Sequence, residues 1–253
     1  MEPMTGNTNS PGKSGASRHT TTIVAALYFL VGLGVSGAVW KMDLLNLDVR
    51  DAFHKWYYDN AGGTWGNTYW LGVPIEKCPL DMWIYQEILY DSKHDVLVEA
   101  GTYKGGSAYF FASMFGLLKR GRVLTIDIQD FPGKPQDERI TYLLGSSTSD
   151  SIFQKVKSSI HPGEKVMVVL DSDHHKAHVL DELKLYSSLV TVGNYLVVED
   201  TDVNGHPVQP DFGPGPMEAV EEFLKTNSSF VQDRSREKFG VTFFPAGWLK
   251  RVR

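Results

Sequence analysis

From residue 95 onward, short apolar runs alternate with stretches whose apolar residues recur at helical spacing. The apolar runs predict five strands, at residues 95–101, 122–128, 140–147, 165–171 and 194–200. The stretches of helical spacing predict three helices, at residues 105–121, 177–190 and 217–227. Strands and helices in this alternation are typical of βαβ units. The pattern therefore predicts an α/β fold, in which helices cover both faces of a mostly parallel, twisted sheet.

Two flanking segments extend this predicted fold. Residues 77–92 carry apolar side chains along one face, which predicts a helix packed on the sheet. Residues 230–233 and 240–252 predict two strands that pair with each other. The sheet is therefore expected to end in an antiparallel C-terminal hairpin.

The first 40 residues differ in composition from the rest of the chain. Residues 1–19 are small and polar, and they are predicted to form a disordered tail. Residues 23–40 carry no charge, and this length is near the lower limit for crossing a membrane. The favoured interpretation is a single-pass membrane anchor over residues 20–40, followed by a catalytic-sized domain over residues 41–253. A secretory signal that is cleaved and a buried soluble helix stay open as alternatives.

Net charge and cysteine content limit the class of function. The 25 Lys and Arg residues and the 30 Asp and Glu residues give a formal net charge of −5. This balance argues against a protein that binds nucleic acid through a basic face. The single cysteine, Cys78, excludes an internal disulfide framework and a cysteine-rich zinc site.

A glycine-rich turn joins the strand predicted at 95–101 to the helix after it. The sequence VEAGTYKGGSAYF, at residues 98–110, places an acid before three glycines. Glycines there let the backbone approach a ligand, and the helix N-terminus offers free N–H groups to an anionic group. The spacing differs from the dinucleotide pattern G-x-G-x-x-G and is nearer to the E-x-G-x-x-x-G-x-S turn of S-adenosylmethionine enzymes. A tight turn without a ligand is the open alternative.

Polar positions after the next two predicted strands favour a nucleoside-type cofactor. Asp127 ends the second strand, where an acid can accept hydrogen bonds from both hydroxyls of a ribose. The sequence GSSTSD, at residues 145–150, follows the third strand, where small hydroxyls are expected to contact an adenine. As alternatives, Asp127 caps the next loop, and residues 145–150 are no more than a loop.

Three carboxylates follow the fourth and fifth predicted strands. Asp171 ends one strand, and Glu199 and Asp200 end the other. Adjacent parallel strands bring their carboxyl ends to the same edge of the sheet, where open α/β sheets bind ligands. Oxygen ligands of this kind suit Mg²⁺ or another hard divalent cation. The alternative is that Asp171 and Asp200 cap helices or turns and never meet.

Histidines crowd the stretch that follows Asp171. His174 and His178 are four residues apart and would share a helix face, so a zinc or iron pair is conceivable. This pair ranks below the carboxylate site, because the chain lacks the H-E-x-x-H pattern. His175 and His178 are otherwise expected to be solvated helix residues.

Nine segments, taken in order from about Trp65 to the C-terminus, resemble the cephalosporin hydroxylase/rhamnosyl O-methyltransferase family. They are W-G near 65, K-x-P-x-D-x-W-x-Y-Q-E (77–87), E-A-G-T-x-x-G-G-S (99–107), I-D-I (126–128), G-S-S (145–147), L-D-S-D-H (170–174), V-V-E-D-T (197–201), G-P-G-P-x-x-A-V-x-x-F (213–223) and F-F-P-x-G-W-L-K-R (243–251). The resemblance implies a Rossmann-like class I methyltransferase fold for residues 41–253. It also implies an O-methyltransferase that depends on S-adenosylmethionine and Mg²⁺.

Carried over residue by residue, the resemblance implies a cofactor site, a metal site and a base. The cofactor-binding residues are Glu99, Gly101 and Ser107 at the methionine part, Thr102, Gly105 and Gly106 in the same turn, Asp171, Asp127 at the ribose, and Ser146 and Ser147 at the adenine. The metal ligands are Asp171, Glu199 and Asp200. Catechol O-methyltransferases, which have similar G-S-S-x-S-D and D-x-x-H stretches, use as base a lysine three residues after the first metal aspartate. His174 holds that position here and is the candidate base, with Asp173 as a further participant.

The resulting hypothesis is a membrane-anchored O-methyltransferase that acts on a hydroxyl of a sugar, a lipid-linked glycan or a small natural product. A protein of the secretory pathway is the alternative location. Two rival functions stay open: a 2-His-1-carboxylate iron oxygenase, and a non-catalytic family member that binds the cofactor. A homo-oligomer is also left open.

Overall fold

The computed structural model describes residues 49–253, and the elements in this range follow the predicted alternation. The strands are β1 (Tyr69–Trp70), β2 (Val73–Pro74), β3 (Val96–Ala100), β4 (Arg122–Asp127), β5 (Ile140–Leu144), β6 (Val166–Leu170), β7 (Tyr195–Val198), β8 (Phe230–Gln232) and β9 (Trp248–Arg251). The helices are α1 (Val49–Asp59), α2 (Pro79–Ser92), α3 (Gly106–Leu118), α4 (Asp150–Ser158), α5 (Lys176–Tyr186) and α6 (Pro216–Thr226).

Strands β3 to β9 form one seven-stranded sheet in the order β5-β4-β3-β6-β7-β9-β8. Neighbouring strands among β3 to β7 are parallel, and β9 runs antiparallel to both of its neighbours, β7 and β8. The strand order reverses between β3 and β6, and ligands of open α/β sheets bind outside the carboxyl ends of the strands at such a point. The predicted mostly parallel sheet with an antiparallel C-terminal end is confirmed.

Successive residues of the central strands pack into two separate hydrophobic layers, because side chains alternate across a strand. In β3, Leu97 packs in a layer with residues of α2 and α3. Val96 and Val98 pack in the other layer, with residues of α4, α5 and α6. Burial on both faces explains why these strands read as continuous apolar runs. Helices therefore cover both faces of the sheet, as predicted.

Several elements were not predicted from the pattern. Helix α1, the antiparallel pair β1 and β2, and helix α4 are additions. Helix α4 begins at the last residue of the segment 145–150, for which a plain loop was the open alternative, and Ser149 caps it by accepting a hydrogen bond from the backbone N–H of Ile152 (3.4 Å). The strand predicted over residues 240–252 is also too long, because only β9 belongs to the sheet there. The residues before it form a loop that buries Phe243 and Phe244 in the core.

The predicted tail (1–19) and the predicted anchor (20–40) lie outside the described residues. Within residues 49–253, no helix is both long and apolar enough to cross a membrane. The membrane anchor, the secretory alternative and the location that each implies therefore stay predictions.

Candidate functional site

A cavity of about 720 Å³ opens where the parallel strands end. Its wall includes residues that directly follow β3, β4, β5, β6 and β7, so it lies at the carboxyl edge of the sheet. Most of the predicted site residues line it: Gly101, Thr102, Gly106, Ser107, Asp127, Ser146, Ser147, Asp171, Asp173, His174, Glu199 and Asp200. The structure does not place Glu99 and Gly105, which were also predicted, on this wall.

Two glycines of the turn after β3 are required by close backbone contacts. Gly101 has a φ of 102°, and a Cβ there would lie 1.8 Å from the carbonyl oxygen of Asp171. A Cβ at Gly106 would lie 2.1 Å from the carbonyl oxygen of Pro74 in β2. The first contact joins the ends of β3 and β6, and the second seats β2 against the start of α3. Glycine at these two positions therefore allows the close backbone contacts, and it leaves this part of the cavity wall without side chains.

Glu99 lies beneath this turn and is buried. Its carboxylate accepts a hydrogen bond from the hydroxyl of Thr125 (2.5 Å), and that hydroxyl lies 2.6 Å from the hydroxyl of Thr102. Burial raises the pKa of Glu99 to about 7, although hydrogen bonds from Ser107 and Thr125 oppose the rise. Through these hydrogen bonds, Glu99 and Thr125 connect the turn after β3 to strand β4. Its predicted contact with the methionine part of the cofactor stays a prediction.

Asp127 accepts two backbone hydrogen bonds at the end of β4. The N–H of Tyr103 donates to one carboxylate oxygen (2.7 Å), and the N–H of Gln129 donates to the other (2.8 Å). Asp127 therefore caps the neighbouring turns, as the alternative interpretation expected. Each carboxylate oxygen has a further lone pair, so the carboxylate can still accept hydrogen bonds from both hydroxyls of a ribose.

Glu182 of α5 contacts several polar side chains near Ser147, although the sequence pattern did not identify it. One oxygen of this fully buried carboxylate accepts hydrogen bonds from the hydroxyls of Ser147 and Ser172. The same oxygen lies 3.3 Å from Nε2 of His178, which is also 3.2 Å from the hydroxyl of Ser147. The expectation that His178 is a solvated helix residue is wrong. Its side chain turns toward the buried Glu182 and toward Ser147, which lines the cavity, and His178 therefore lines the cavity as well.

We expect the contribution of His178 to stability to fall as the pH rises. The hydrogen bond to Glu182 raises the pKa of His178 above its ordinary value of 6.5. A raised pKa means that the folded state binds the proton more tightly, so this stabilisation is full below pH 6.5 and is lost above the folded pKa. The difference in melting temperature between the wild type and His178→Gln should therefore be larger at about pH 6 than at about pH 8.5.

The control for this prediction is the same comparison in a Glu182→Gln background, where the partner of His178 carries no charge. There, the effect of His178→Gln should depend less on pH, because Glu182 is the main but not the sole carboxylate that raises the pKa of His178. An effect that grows with pH in the wild-type background would contradict the prediction.

Asp171, His174 and Asp200 meet on the cavity wall. Each can offer one ligand atom, and these atoms lie within 4.8 Å of one another. Nε2 of His174 lies 3.1 Å from a carboxylate oxygen of Asp200. The two carboxylates suit a hard divalent cation such as Mg²⁺, which leaves other positions to water and substrate, whereas the imidazole beside them is a ligand for softer metals or a base. His178 is not part of this group, so the conceivable pair of His174 and His178 is not formed.

Lys77 lies buried between two of the predicted metal ligands, although the sequence pattern assigned it no role. Its ammonium donates hydrogen bonds to Asp171 and to one oxygen of Glu199. The other oxygen of Glu199 accepts a hydrogen bond from the hydroxyl of Tyr85 (2.6 Å). Burial would lower the pKa of Lys77, but the charges of Asp171, Glu199 and Asp200 outweigh it and hold this pKa above its ordinary value. Lys77 is therefore a charged part of the site, and Glu199 as a metal ligand stays a prediction.

Asp173 also lines the cavity, beside the residues above. One of its carboxylate oxygens accepts a hydrogen bond from the backbone N–H of His175 (2.8 Å) and lies 2.6 Å from Nδ1 of the same residue. The His175 side chain is 74% exposed, as expected for a solvated residue. No contact of Asp173 shows a catalytic role, and its participation stays a prediction.

Aromatic side chains form another part of the wall, and they were not identified from the sequence. Tyr58, Trp65 and Phe243 all line the cavity. The ring centroids of Tyr58 and Trp65 are 5.3 Å apart, and those of Trp65 and Phe243 are 5.6 Å apart. Tyr58 and Trp65 are seven positions apart, but Phe243 lies far along the chain, so only the fold brings it to the other two rings. They offer flat apolar surfaces to a bound substrate.

Comparison with known proteins shows relatives along most of the chain. The family model described as "Rhamnosyl O-methyltransferase/CmcI" matches residues 63–252. The rhamnosyl O-methyltransferase of Mycobacterium tuberculosis (strain H37Rv) is 39% identical over 242 residues, which cover 92% of this chain and 98% of that protein. The rhamnosyl O-methyltransferase of Mycobacterium leprae (strain TN) is 40% identical over 224 residues, which cover 86% of this chain and 95% of that protein.

Solved structures share the fold. The structures described as "CmcI-N160 apo-structure" and "cmcI-D160 Mg-SAM" each match with a TM-score of 0.58. They are 21% and 20% identical to this chain, and the matches cover 74% of it and 77% and 78% of those chains. The likeness confirms the predicted Rossmann-like class I methyltransferase fold.

Proposed function

Because this chain belongs to the rhamnosyl O-methyltransferase/CmcI family and is an O-methyltransferase, we propose that it methylates a hydroxyl of a sugar, with S-adenosylmethionine as the methyl donor and Mg²⁺ as a cofactor. One observation carries this proposal. A single cavity joins a glycine-lined wall that reaches Asp127 to the group formed by Asp171, His174 and Asp200. The glycine-lined wall suits a nucleoside-type methyl donor. The group of Asp171, His174 and Asp200 suits a substrate hydroxyl that has to lose a proton.

The wall around the turn after β3 would bind the methyl donor, which supplies a methyl group on a positively charged sulfur. Gly101 and Gly106 keep this wall bare of side chains, so the donor can lie close to the backbone. Asp127 offers its carboxylate to the two ribose hydroxyls. Ser146 and Ser147 place small hydroxyls where the adenine is expected.

Asp171 and Asp200 would hold the Mg²⁺ ion, with Glu199 as the predicted third carboxylate. When bound, the ion supplies a Lewis acid that lowers the pKa of a hydroxyl beside it. His174 would take the proton, with its Nε2 placed 3.1 Å from a carboxylate oxygen of Asp200. The substrate oxygen then bonds to the methyl carbon while the carbon–sulfur bond breaks, and alignment of these atoms supplies much of the acceleration.

Two findings favour a sugar as the methyl acceptor. The relatives named rhamnosyl O-methyltransferase align with 86% to 92% of this chain at 39% to 40% identity. The rings of Tyr58, Trp65 and Phe243 offer the apolar surfaces on which the C–H faces of a sugar ring can stack. A lipid-linked sugar also agrees with the uncharged segment at residues 23–40, which was predicted to be an anchor.

The test is incubation of the full chain with S-adenosylmethionine that carries a labelled methyl group, with rhamnosides and other glycosides as acceptors. We expect the label in a methyl ether of a sugar, and we expect a chelator to reduce its formation. Label in a phenol but in no sugar would contradict the sugar assignment. Binding of the donor without transfer to any acceptor would support the non-catalytic alternative.

The iron oxygenase alternative requires two histidines and one carboxylate at the metal. The group of Asp171, His174 and Asp200 instead has one histidine and two carboxylates. Turnover that depended on iron and a 2-oxoacid, without any binding of S-adenosylmethionine, would favour the oxygenase after all.

A further inference from the structure

A positively charged side chain lies inside the carboxylate cluster. The Lys77 ammonium contacts Asp171 and Glu199 at once, and its side chain is only 8% exposed. Glu199 is 1% exposed, and its remaining oxygen is bound by Tyr85. The backbone beside this lysine is anchored as well, because the N–H of Lys77 donates a hydrogen bond to the hydroxyl of Thr68 (3.3 Å). The ammonium is therefore held between two of the carboxylates that would hold a metal ion.

In the absence of metal, the carboxylate cluster needs a positive charge from the chain itself. Asp171, Glu199 and Asp200 lie close together and repel one another, and Glu199 is buried and so loses its hydration as well, whereas Asp171 and Asp200 are partly exposed on the cavity wall. An unpaired buried charge is strongly destabilising. Lys77 supplies one compensating charge from within the chain. A divalent cation that enters the cluster meets this charge at close range and is repelled by it.

We propose that Lys77 and the divalent cation share the carboxylates of Asp171 and Glu199. In the absence of metal, the ammonium offsets one of the two negative charges of this pair and holds the site in its folded arrangement. In the presence of metal, the same ammonium weakens binding, so the cation exchanges instead of being held permanently. This inference rests on the proposed function, because the divalent cation is part of that proposal.

The test measures Mn²⁺ binding to the full chain by electron paramagnetic resonance, with Lys77→Met as the main variant. Removal of the ammonium should lower the Kd for Mn²⁺ at least ~10-fold, because a repelling charge beside the ion is gone. The melting temperature of Lys77→Met should fall more in a chelator than in saturating Mn²⁺, because the metal then supplies the missing charge.

Two further variants make the test specific. Lys104→Met makes the same change at a half-exposed lysine whose ammonium lies 3.5 Å from Glu76, outside the cluster, and its Kd for Mn²⁺ should stay within about two-fold of the wild type. Lys77→Gln removes the charge but keeps a hydrogen-bond donor. It should bind Mn²⁺ more tightly than the wild type, and it replaces Lys77→Met if that variant does not fold.

Mn²⁺ binding that is unchanged or weaker in the Lys77 variants would overturn the inference, because Lys77 would then only position the carboxylates. The inference also fails if neither the wild type nor the variants bind Mn²⁺, or if the melting temperature falls equally with and without metal. Failure of the proposed function would appear separately, as an absence of methyl transfer to any acceptor while the Mn²⁺ results stand.

Discussion

Replacement of Asp171 by asparagine is expected to lower kcat/KM for methyl transfer about 10³-fold. Asp171 is the carboxylate at which the two halves of the cavity meet, because its backbone touches Gly101 and its side chain faces both His174 and Asp200. The asparagine amide keeps the size of the side chain but loses the negative charge that binds a hard cation. Loss of Lewis-acid assistance removes several kcal/mol of transition-state stabilisation, which corresponds to this reduction in rate.

This first prediction is checked by steady-state kinetics together with the Kd for Mn²⁺, which should rise in parallel. Asp181→Asn is the matched control, since Asp181 lies exposed on α5 and its nearest cation is Lys184 at 3.7 Å. The control should keep kcat/KM within about two-fold of the wild type. Full activity of Asp171→Asn in the presence of a chelator would show that the reaction needs no metal at this position.

Replacement of His174 by glutamine is expected to lower kcat about 10²- to 10⁴-fold, the usual range for loss of a general base. His174 lines the cavity, and its Nε2 is held 3.1 Å from Asp200, so the ring is oriented before a substrate arrives. Glutamine can still form hydrogen bonds, but it cannot accept a proton near neutral pH. The defect should therefore appear in kcat, while the Kd for S-adenosylmethionine stays within about two-fold.

The matched control for this second prediction is His175→Gln, the same change at the neighbouring, solvent-exposed histidine. It should keep kcat near the wild-type value. Near-normal kcat in His174→Gln would require a different base, and Asp173 would be the next residue to replace.

The order of strands and helices could be predicted from the sequence, because the spacing of apolar residues depends only on neighbouring positions in the chain. Residues 95–101 and 165–171 are apolar throughout most of their length, and both become strands that are buried on two faces. Helix α4 was missed because its residues, DSIFQKVKS, extend only nine positions and follow a segment of small polar residues that is typical of a loop. Short elements offer too few turns of periodicity to be distinguished from loops.

In the candidate site, too, some residues could be predicted from the sequence and others could not. Asp171, Glu199 and Asp200 could be placed at one edge because each closely follows a strand, and parallel strands end together. Lys77 was not found, because it precedes a helix and reaches the cluster only through the packing of α2 against the sheet. A lysine just before a predicted buried helix is a weak signal, since most lysines at such positions are exposed. Glu182 was missed for a related reason, because its burial depends on how α5 is rotated.

What the sequence by itself determined is the α/β class, the turn after β3 and the convergence of carboxylates at the ends of β6 and β7. These features follow from local periodicity and from the geometry of parallel strands. Only the tertiary structure decided which charges meet. It places the Lys77 ammonium between Asp171 and Glu199. Long-range electrostatic pairing depends on distances across the fold, and residues 94 or 122 positions apart carry no local signal of them.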